Sequence, residues 1–553
     1  MSNKRILMVL FLLVIIGAIG GAIFIKNKQE PNQMVISFSD TPYLIVEEEY
    51  VDRLDSIKFV DDLVYISLAV VEYYIDENIF YDDLEEILII TNEEKVLRYR
   101  LDDKVASINS KEFLIENTIK KYDHRIYIPV DILLKNYEID IDFFEDTGAV
   151  VIDFKDIHYL KGEIIGEGAV LRSDLSLESP IIYDQLDMGF VLNIYSEYEH
   201  WYKVRTLDGV PGFIEKKFIK INYSNDMFKV KIPVTITSGE SEKKINMTWD
   251  YTYGKVKGSN NIALLAGVNV VSPTWFSVVD TDGRILNKGN KEYARKYHEM
   301  GYEVWPLIDN DFNPDLTHDL LMKSTTREKL ITDILELVLD YDFQGINIDF
   351  ENVHLKTKDY LTQFVRELYP IFKQHGLRVS MDVTGISTSE NWSLSYDRKR
   401  LSEAVDYMML MAYDQHWASS PVAGSVAEYP WVENSILGVL EYIPSHKLVL
   451  AVPFYTRLWL EKDGNVSSQA LTMETANKFI GENKIDLIWS DESFQYYGEI
   501  EKNNTVYKIW LESIESLESK VSLIHKYDLA GLASWRKGFE TSDIWGAIAE
   551  VLE

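Results

Sequence analysis

The chain has 553 residues, 46% of them hydrophobic and 12% aromatic, enough for roughly two to four domains and at least one large core. Its formal net charge is -33, which argues against a nucleic-acid-binding role, because phosphate contacts need Lys and Arg, and against adhesion to anionic lipid heads. There is no cysteine, so disulfides, thiolate metal sites and a Cys nucleophile are excluded.

In chain order, Lys4 and Arg5 precede an uninterrupted apolar run from Ile6 to Ile25, which as a helix spans about 30 Å, the thickness of a bilayer core. It predicts a transmembrane anchor over residues 1–28. The alternative is a cleaved secretion signal, for which Ala18, Gly20 and Ala22 supply small residues inside the run. Lys26 and Lys28 balance Lys4 and Arg5, so the positive-inside rule does not orient the segment. A polar linker follows over 29–40.

Residues 41–157 read as an α+β domain with an internal repeat. Leu63-Val-Tyr-Ile-Ser-Leu68 returns as Arg125-Ile-Tyr-Ile-Pro-Val130, and each copy precedes a helical stretch and a β-run, Ile87–Thr91 or Ala149–Asp153. The pattern is similar to the stalk-like N-terminal domain of copper amine oxidases. That similarity implies no copper here, since the segment has a single histidine, His124, and no ligand cluster. A spacer or docking role is expected.

Residues 158–224 predict short strands at turn spacing: Gly168–Arg172, Gly189–Asn193, Trp201–Arg205 and Gly209–Ile214. With Trp201-Tyr202 followed by Gly212-Phe213-Ile214, the order resembles a bacterial SH3 domain, an all-β barrel. The resemblance implies attachment to the cell wall, while the aromatics serve equally well as barrel core.

Over 225–553, eight apolar runs alternate with amphipathic stretches: Ile245–Trp249, Val268–Ser272, Glu303–Ile308, Gly345–Phe350, Leu377–Val383, Tyr407–Tyr413, Leu448–Phe454 and Leu529–Trp535. Near-continuous apolar strands separated by helices predict a parallel sheet covered by helices. Eight such units fit an α/β (β/α)8 TIM barrel, whose site lies at the C-terminal strand ends.

The fourth run carries the chemistry. In Gln344-Gly-Ile-Asn-Ile-Asp-Phe-Glu351 the strand period puts Ile346, Ile348 and Phe350 on one face and Asn347, Asp349 and Glu351 on the other. Unpaired carboxylates are costly to bury, so such a row is expected where a proton donor and a charge must be held together. The row resembles the active-site pattern Asp-Gly-x-Asp-x-Asp-x-Glu of glycoside hydrolase family 18, the chitinase-like enzymes, with Gln344 and Asn347 replacing the first two aspartates.

The resemblance implies a retaining mechanism in which the substrate's own 2-acetamido oxygen is the nucleophile. Glu351 would be the acid and Asp349 would hold the acetamide N–H. Met411-Ala-Tyr-Asp414 resembles the sixth-strand motif, which makes Tyr413 a donor to the acetamide carbonyl and Asp414 a sugar-hydroxyl ligand. Leu532-Ala-Ser-Trp535 resembles the eighth-strand end, with Trp535 as the floor of the sugar site. Asn347, Asp382, Trp275, Tyr455 and Arg457 are the remaining expected substrate contacts. Asn347 cannot share charge with Asp349 as an aspartate would, which puts the pH profile in question. Glu351-x-x-His354 has metal-ligand spacing, but only one such pair exists, so neither metal nor cofactor is expected.

The reading is a membrane-anchored, wall-facing glycosidase of the spore-cortex and wall-lytic branch, with its catalytic domain outside the cell. It would cleave β-1,4 bonds at N-acetylglucosamine in peptidoglycan. The alternatives are a chitinase acting on chitin oligomers, a catalytically inert sugar-binding barrel, and a protein whose main role lies in the front modules.

Overall fold

The computed structural model describes residues 42–51, 55–222, 243–253 and 264–552. The expected anchor at 6–25 and the linker at 29–40 lie outside them. Among the described residues no helix is long and apolar enough to cross a membrane. The chain divides into two compact units, and the second takes in Phe80–Arg100 and Val105–Leu114 together with Ser238–Glu553.

In the first unit the two repeat copies are structural equivalents. Strand Leu63–Ser67 runs into helix Leu68–Tyr74, and strand Arg125–Pro129 runs into helix Val130–Asn136. The two strands pair antiparallel, with Ile66 opposite Ile128, at the centre of a four-stranded sheet. The α+β expectation for this region needs correction. Both helices have only seven residues, short of the length at which a helix is stable alone, and the rest is strand, so the N-terminal region is essentially all-β. Residues 160–222 form a seven-stranded antiparallel sheet. Every predicted strand is present there, and Trp201 and Tyr202 are both buried.

In the second unit the parallel pairings close on themselves. Ile245–Asp250 pairs with Val270–Pro273, which pairs with Glu303–Val304. The second and third positions then resume as Phe276–Val278 and Leu307–Asp309, again paired. Next come Gly345–Asp349, Arg378–Thr384, Tyr407–Met411, Leu448–Pro453 and Gly531–Trp535, and the last pairs with the first. Eight positions therefore form a ring, each at a predicted apolar run. The second and third are interrupted, the third at Pro306, which has no N–H to give to a ladder.

Alternation along these strands yields two cores. Ile346, Ile348 and Phe350 face outward into the layer between ring and helices, while Met247, Trp249, Trp305, Leu307, Met409 and Val449 fill the interior. Gly345 is required by packing, because a Cβ there would lie 2.6 Å from the Arg378 carbonyl oxygen.

Two additions to the ring were not anticipated. After the seventh strand, Tyr455–Lys462, Asn465–Thr472, Ile488–Ser490, Gln495–Lys502 and Thr505–Leu511 build a five-stranded antiparallel sheet. A second five-stranded sheet, from Phe80–Asp82 to Lys111–Leu114, packs Ile87, Ile89, Val96 and Phe80 against Ile371 of helix Lys358–Gln374. Arg98 donates to the fully buried Glu367 at 2.7 Å. Asp82 accepts from the Ser324 N–H at 2.7 Å, at the start of helix Ser324–Asp340, where a carboxylate is favoured by the helix dipole.

Candidate active site

Three aspartates stand at one level on adjacent strands. Asp309 is in register with Ser277 and with Asp349. Asn347 is in register with Ser380, which sets Asp349 beside Asp382 two residues further along both strands. Neighbouring strands lie about 4.8 Å apart, so these carboxyls crowd one another. Burial, then the charge of Asp309, pushes Asp349 up to about 7. Glu351, two residues beyond, is held well above the usual carboxylate range by burial, then by Asp349, Asp414 and Asp309. Asp382 is likewise pushed well up, by burial and then by Asp349. A cluster of this kind retains protons at neutral pH. The Asp349 Oδ1 is buried without a hydrogen-bond partner.

The backbone at Glu351 is fixed from two sides. Asn310, which follows the third strand, donates to the Glu351 carbonyl at 2.8 Å and accepts from the Glu351 N–H at 3.1 Å. Tyr396 donates its hydroxyl to the Phe350 carbonyl at 2.9 Å. Neither contact was foreseen. The only signal in the sequence for Asn310 is a polar residue just past an apolar run.

Tyr413 and Asp414 leave the end of the sixth strand beside Glu351. Burial raises the Tyr413 phenol well above its ordinary value, so it stays a proton donor. Asp414 adopts a left-handed backbone, φ 58°. Its Oδ1 accepts from the Tyr455 hydroxyl at 2.7 Å and from Arg457 at 3.3 Å. Tyr455 and Arg457, expected as substrate contacts, are themselves buried and instead orient Asp414. Glu351, Tyr413 and Asp414 open on a cavity of about 720 Å³ whose walls include Trp392, Trp417 and Trp431. Trp392 is 42% exposed and Trp417 51%. These tryptophans were not singled out from the sequence, where nothing distinguishes an indole in a loop after a strand from one in a core.

Three more expected substrate contacts are corrected by burial. Trp275 is fully buried, its ring centroid 5.9 Å from those of Tyr293 and Phe343, so it is a core residue between ring and helices. Asn347 is also fully buried. It spends its amide on Trp249 Nε1 at 2.9 Å, Ser380 Oγ at 3.1 Å and Asp382 Oδ1 at 2.7 Å. Asp382 is 1% exposed and stands beside Asp349 on the next strand. Trp535 is part-exposed at the eighth strand's end, 5.8 Å from Trp249 and 6.3 Å from Tyr251. The loop after it is anchored by Lys537, which contacts Asp250 Oδ2 at 3.0 Å and the Tyr297 hydroxyl at 2.8 Å. His354 meets Asp315 at 2.9 Å. Among the described residues no group of His, Asp and Glu has the geometry to hold a metal ion.

A carboxyl kept protonated beside ionisable partners, opening on an aromatic-walled cleft, is what glycosidic-bond cleavage needs, and the class of protein defined by this site is a glycosidase. Residues 290–539 match the family model Glycosyl hydrolases family 18. Residues 45–152 match the Copper amine oxidase N-terminal domain. Among curated relatives, the uncharacterized glycosylase YvbX of Bacillus subtilis (strain 168) is 24% identical over 328 residues, 56% of this chain and 93% of the relative. The cortical fragment-lytic enzyme of the same organism is 24% identical over 246 residues, 43% of this chain and 57% of that protein, so the chain spans little more than half of that relative's length. The crystal structure of the Bacillus cereus spore cortex-lytic enzyme SleL superposes with a TM-score of 0.50 at 18% identity, covering 57% of this chain and 75% of that one, a likeness of fold.

Proposed function

We propose that the ring is a (β/α)8 barrel of the TIM type and that the chain hydrolyses β-1,4 bonds at N-acetylglucosamine in peptidoglycan, with retention of configuration. The observation that carries this reading is Glu351, a carboxyl held well above its usual range at the wall of the cavity, with Asp349 two residues before it at the end of the fourth strand. Glu351 gives its proton to the departing glycosidic oxygen as the C1–O bond breaks. The acetamide oxygen of the same sugar bonds to C1, and the acetamide N–H donates to Asp349. Tyr413 donates to the acetamide oxygen. Water then attacks C1, yielding its proton to the Glu351 carboxylate, which restores the acid. Asp414 binds a sugar hydroxyl and Trp535 carries a pyranose face.

Peptidoglycan is favoured over chitin because relatives are named for cortical-fragment lysis, although chitinases are also among the similar structures. An inert sugar-binding barrel rested on Asn347 alone, and that amide is fully hydrogen-bonded. The seven-stranded sheet at 160–222 reads as a bacterial SH3-like module for wall attachment, and the apolar run at 6–25 as an anchor that leaves the catalytic domain outside the cell. Incubation of the protein and of Glu351→Gln with purified peptidoglycan and with chitin oligomers, read by mass spectrometry, tests the function. Fragments with N-acetylglucosamine reducing ends from the wild type alone are expected. Equal fragments from both proteins would remove Glu351 as the acid, and none from either would leave the inert barrel.

A further inference from the structure

Indole Nε1 can only donate. Trp249 Nε1 lies 2.9 Å from the Asn347 side-chain oxygen, and this fixes which way the Asn347 amide points. Its nitrogen must therefore face Asp382 Oδ1, 2.7 Å away. Asp382 Oδ1 is thereby an acceptor, and a proton on this carboxyl can only sit on Oδ2. The other groups acting on Asp382 are Asp349 and Glu351 from the fourth strand and the loop that follows it, Tyr413 after the sixth strand, and Tyr396 ahead of helix Arg398–Glu403.

We propose that Asp382 is a positioning residue that holds one proton on Oδ2 and shares it with Asp349, with the Trp249–Asn347 pair fixing its orientation. The proposal rests on the glycosidase reading and adds to it the group that keeps Asp349 ready to accept. Asp382 reaches no substrate. Its proton donates to the buried Asp349 Oδ1, which has no other partner, leaving the second Asp349 oxygen for an incoming N–H. The pair then carries a single negative charge, which is what a cationic sugar intermediate needs beneath it. The amide at position 347 does not disable the site, because the proton-sharing carboxyl stands on the neighbouring strand. The shift in Asp382 noted above, upward through burial and Asp349, accords with this arrangement.

The test uses the full-length protein with Asp382→Asn, Asp382→Ala and the double variant Asn347→Asp/Asp382→Asn. Readouts are pH profiles of kcat/KM on fluorogenic chitin oligomers, thermal unfolding, and the infrared band of protonated carboxyls. The expected result is that Asp382→Asn removes one ionisation from the profile and one protonated-carboxyl band at pH 7. Asp382→Ala should lower kcat on the order of 10- to 100-fold, with KM within about 3-fold, because a charge-assisted hydrogen bond is lost while substrate contacts stay. The double variant should restore the lost ionisation by moving the carboxyl one strand over. A wild-type profile and band in Asp382→Asn would overturn the proposal even if stability fell, as would a raised KM with intact kcat in Asp382→Ala. If the wild type itself turned over neither chitin oligomers nor peptidoglycan, the functional reading would fall, while the infrared band would still decide where the proton resides.

Discussion

Replacing Glu367 by Gln tests whether residues 80–114 are an integral part of the catalytic unit. Glu367 is fully buried. Its Oε1 accepts from Arg327 Nε at 2.9 Å and from Gln363 at 3.1 Å, and its Oε2 accepts from Arg98 at 2.7 Å. Arg98 comes from strand Val96–Arg100 of the added sheet. It also lies 3.5 Å from Glu328, so two guanidinium groups are balanced by two carboxylates. A glutamine offers one acceptor oxygen and turns its NH2 toward the other arginine, leaving a buried cation uncompensated. Breaking a buried ion pair in this way costs about 3–5 kcal/mol, a large part of the 5–15 kcal/mol that holds a typical domain. Arg98→Met removes one donor, keeps the Glu367–Arg327 pair and fills the stem volume, so its cost should be smaller, about 1.5–3 kcal/mol. Urea unfolding followed by tryptophan fluorescence measures both, and limited proteolysis reports whether 80–114 is released first. A loss below about 1 kcal/mol in Glu367→Gln, or a larger loss in Arg98→Met than in Glu367→Gln, would refute the reasoning. By the same logic a cut near residue 230 strips Arg98 from Glu367 and should give an unstable product.

Asp349→Asn should raise stability at pH 8 and leave it nearly unchanged at pH 3.5. The native carboxyl, raised from 3.8 to about 7, keeps a proton that the unfolded chain has lost between those values, so wild-type stability falls as pH rises through that window and is flat above it. The ceiling is about 4 kcal/mol at about 1.4 kcal/mol per pH unit, and an equal gain in thermal unfolding at both pH values would contradict the assignment. Trp417→Ala and Trp392→Ala should each raise KM for long glycan fragments about 10-fold and change it less than about 2-fold for a trimer. Equal effects on both lengths would place these indoles outside the binding surface. Asn310→Ala should lower kcat about 10-fold through loss of both hydrogen bonds to the Glu351 backbone, and steady-state kinetics showing a change in KM alone would exclude that role.

The strand positions and the inward row were legible because strand period and apolar runs are local properties. Ile346, Ile348 and Phe350 had to share a face, and that left Asn347, Asp349 and Glu351 on the other. The depth of each residue along the ring axis was not legible. Asp382 and Asn347 read as substrate contacts because both are polar and near strand ends, yet both are buried and bonded to one another. Trp275 failed for a related reason, since an interruption in the second strand turns it outward into the helix layer. The docking of Arg98 on Glu367 joins residues 269 positions apart, and neither side chain looks unusual in its own stretch of sequence. The family resemblance supplied the expected roles of Glu351, Asp349 and Tyr413, whereas the contacts that hold Glu351 in place are long-range, such as Asn310 on its backbone.

The most direct measurement is the configuration of the first-formed reducing end, followed by proton NMR during cleavage of a chitin oligomer before mutarotation sets in. Attack by the substrate's own acetamido oxygen, with Glu351 as acid, predicts that the β-anomer appears first. An initial α-anomer would mean that water attacked C1 directly, and would contradict the assignment of Asp349 as the residue that holds the acetamide.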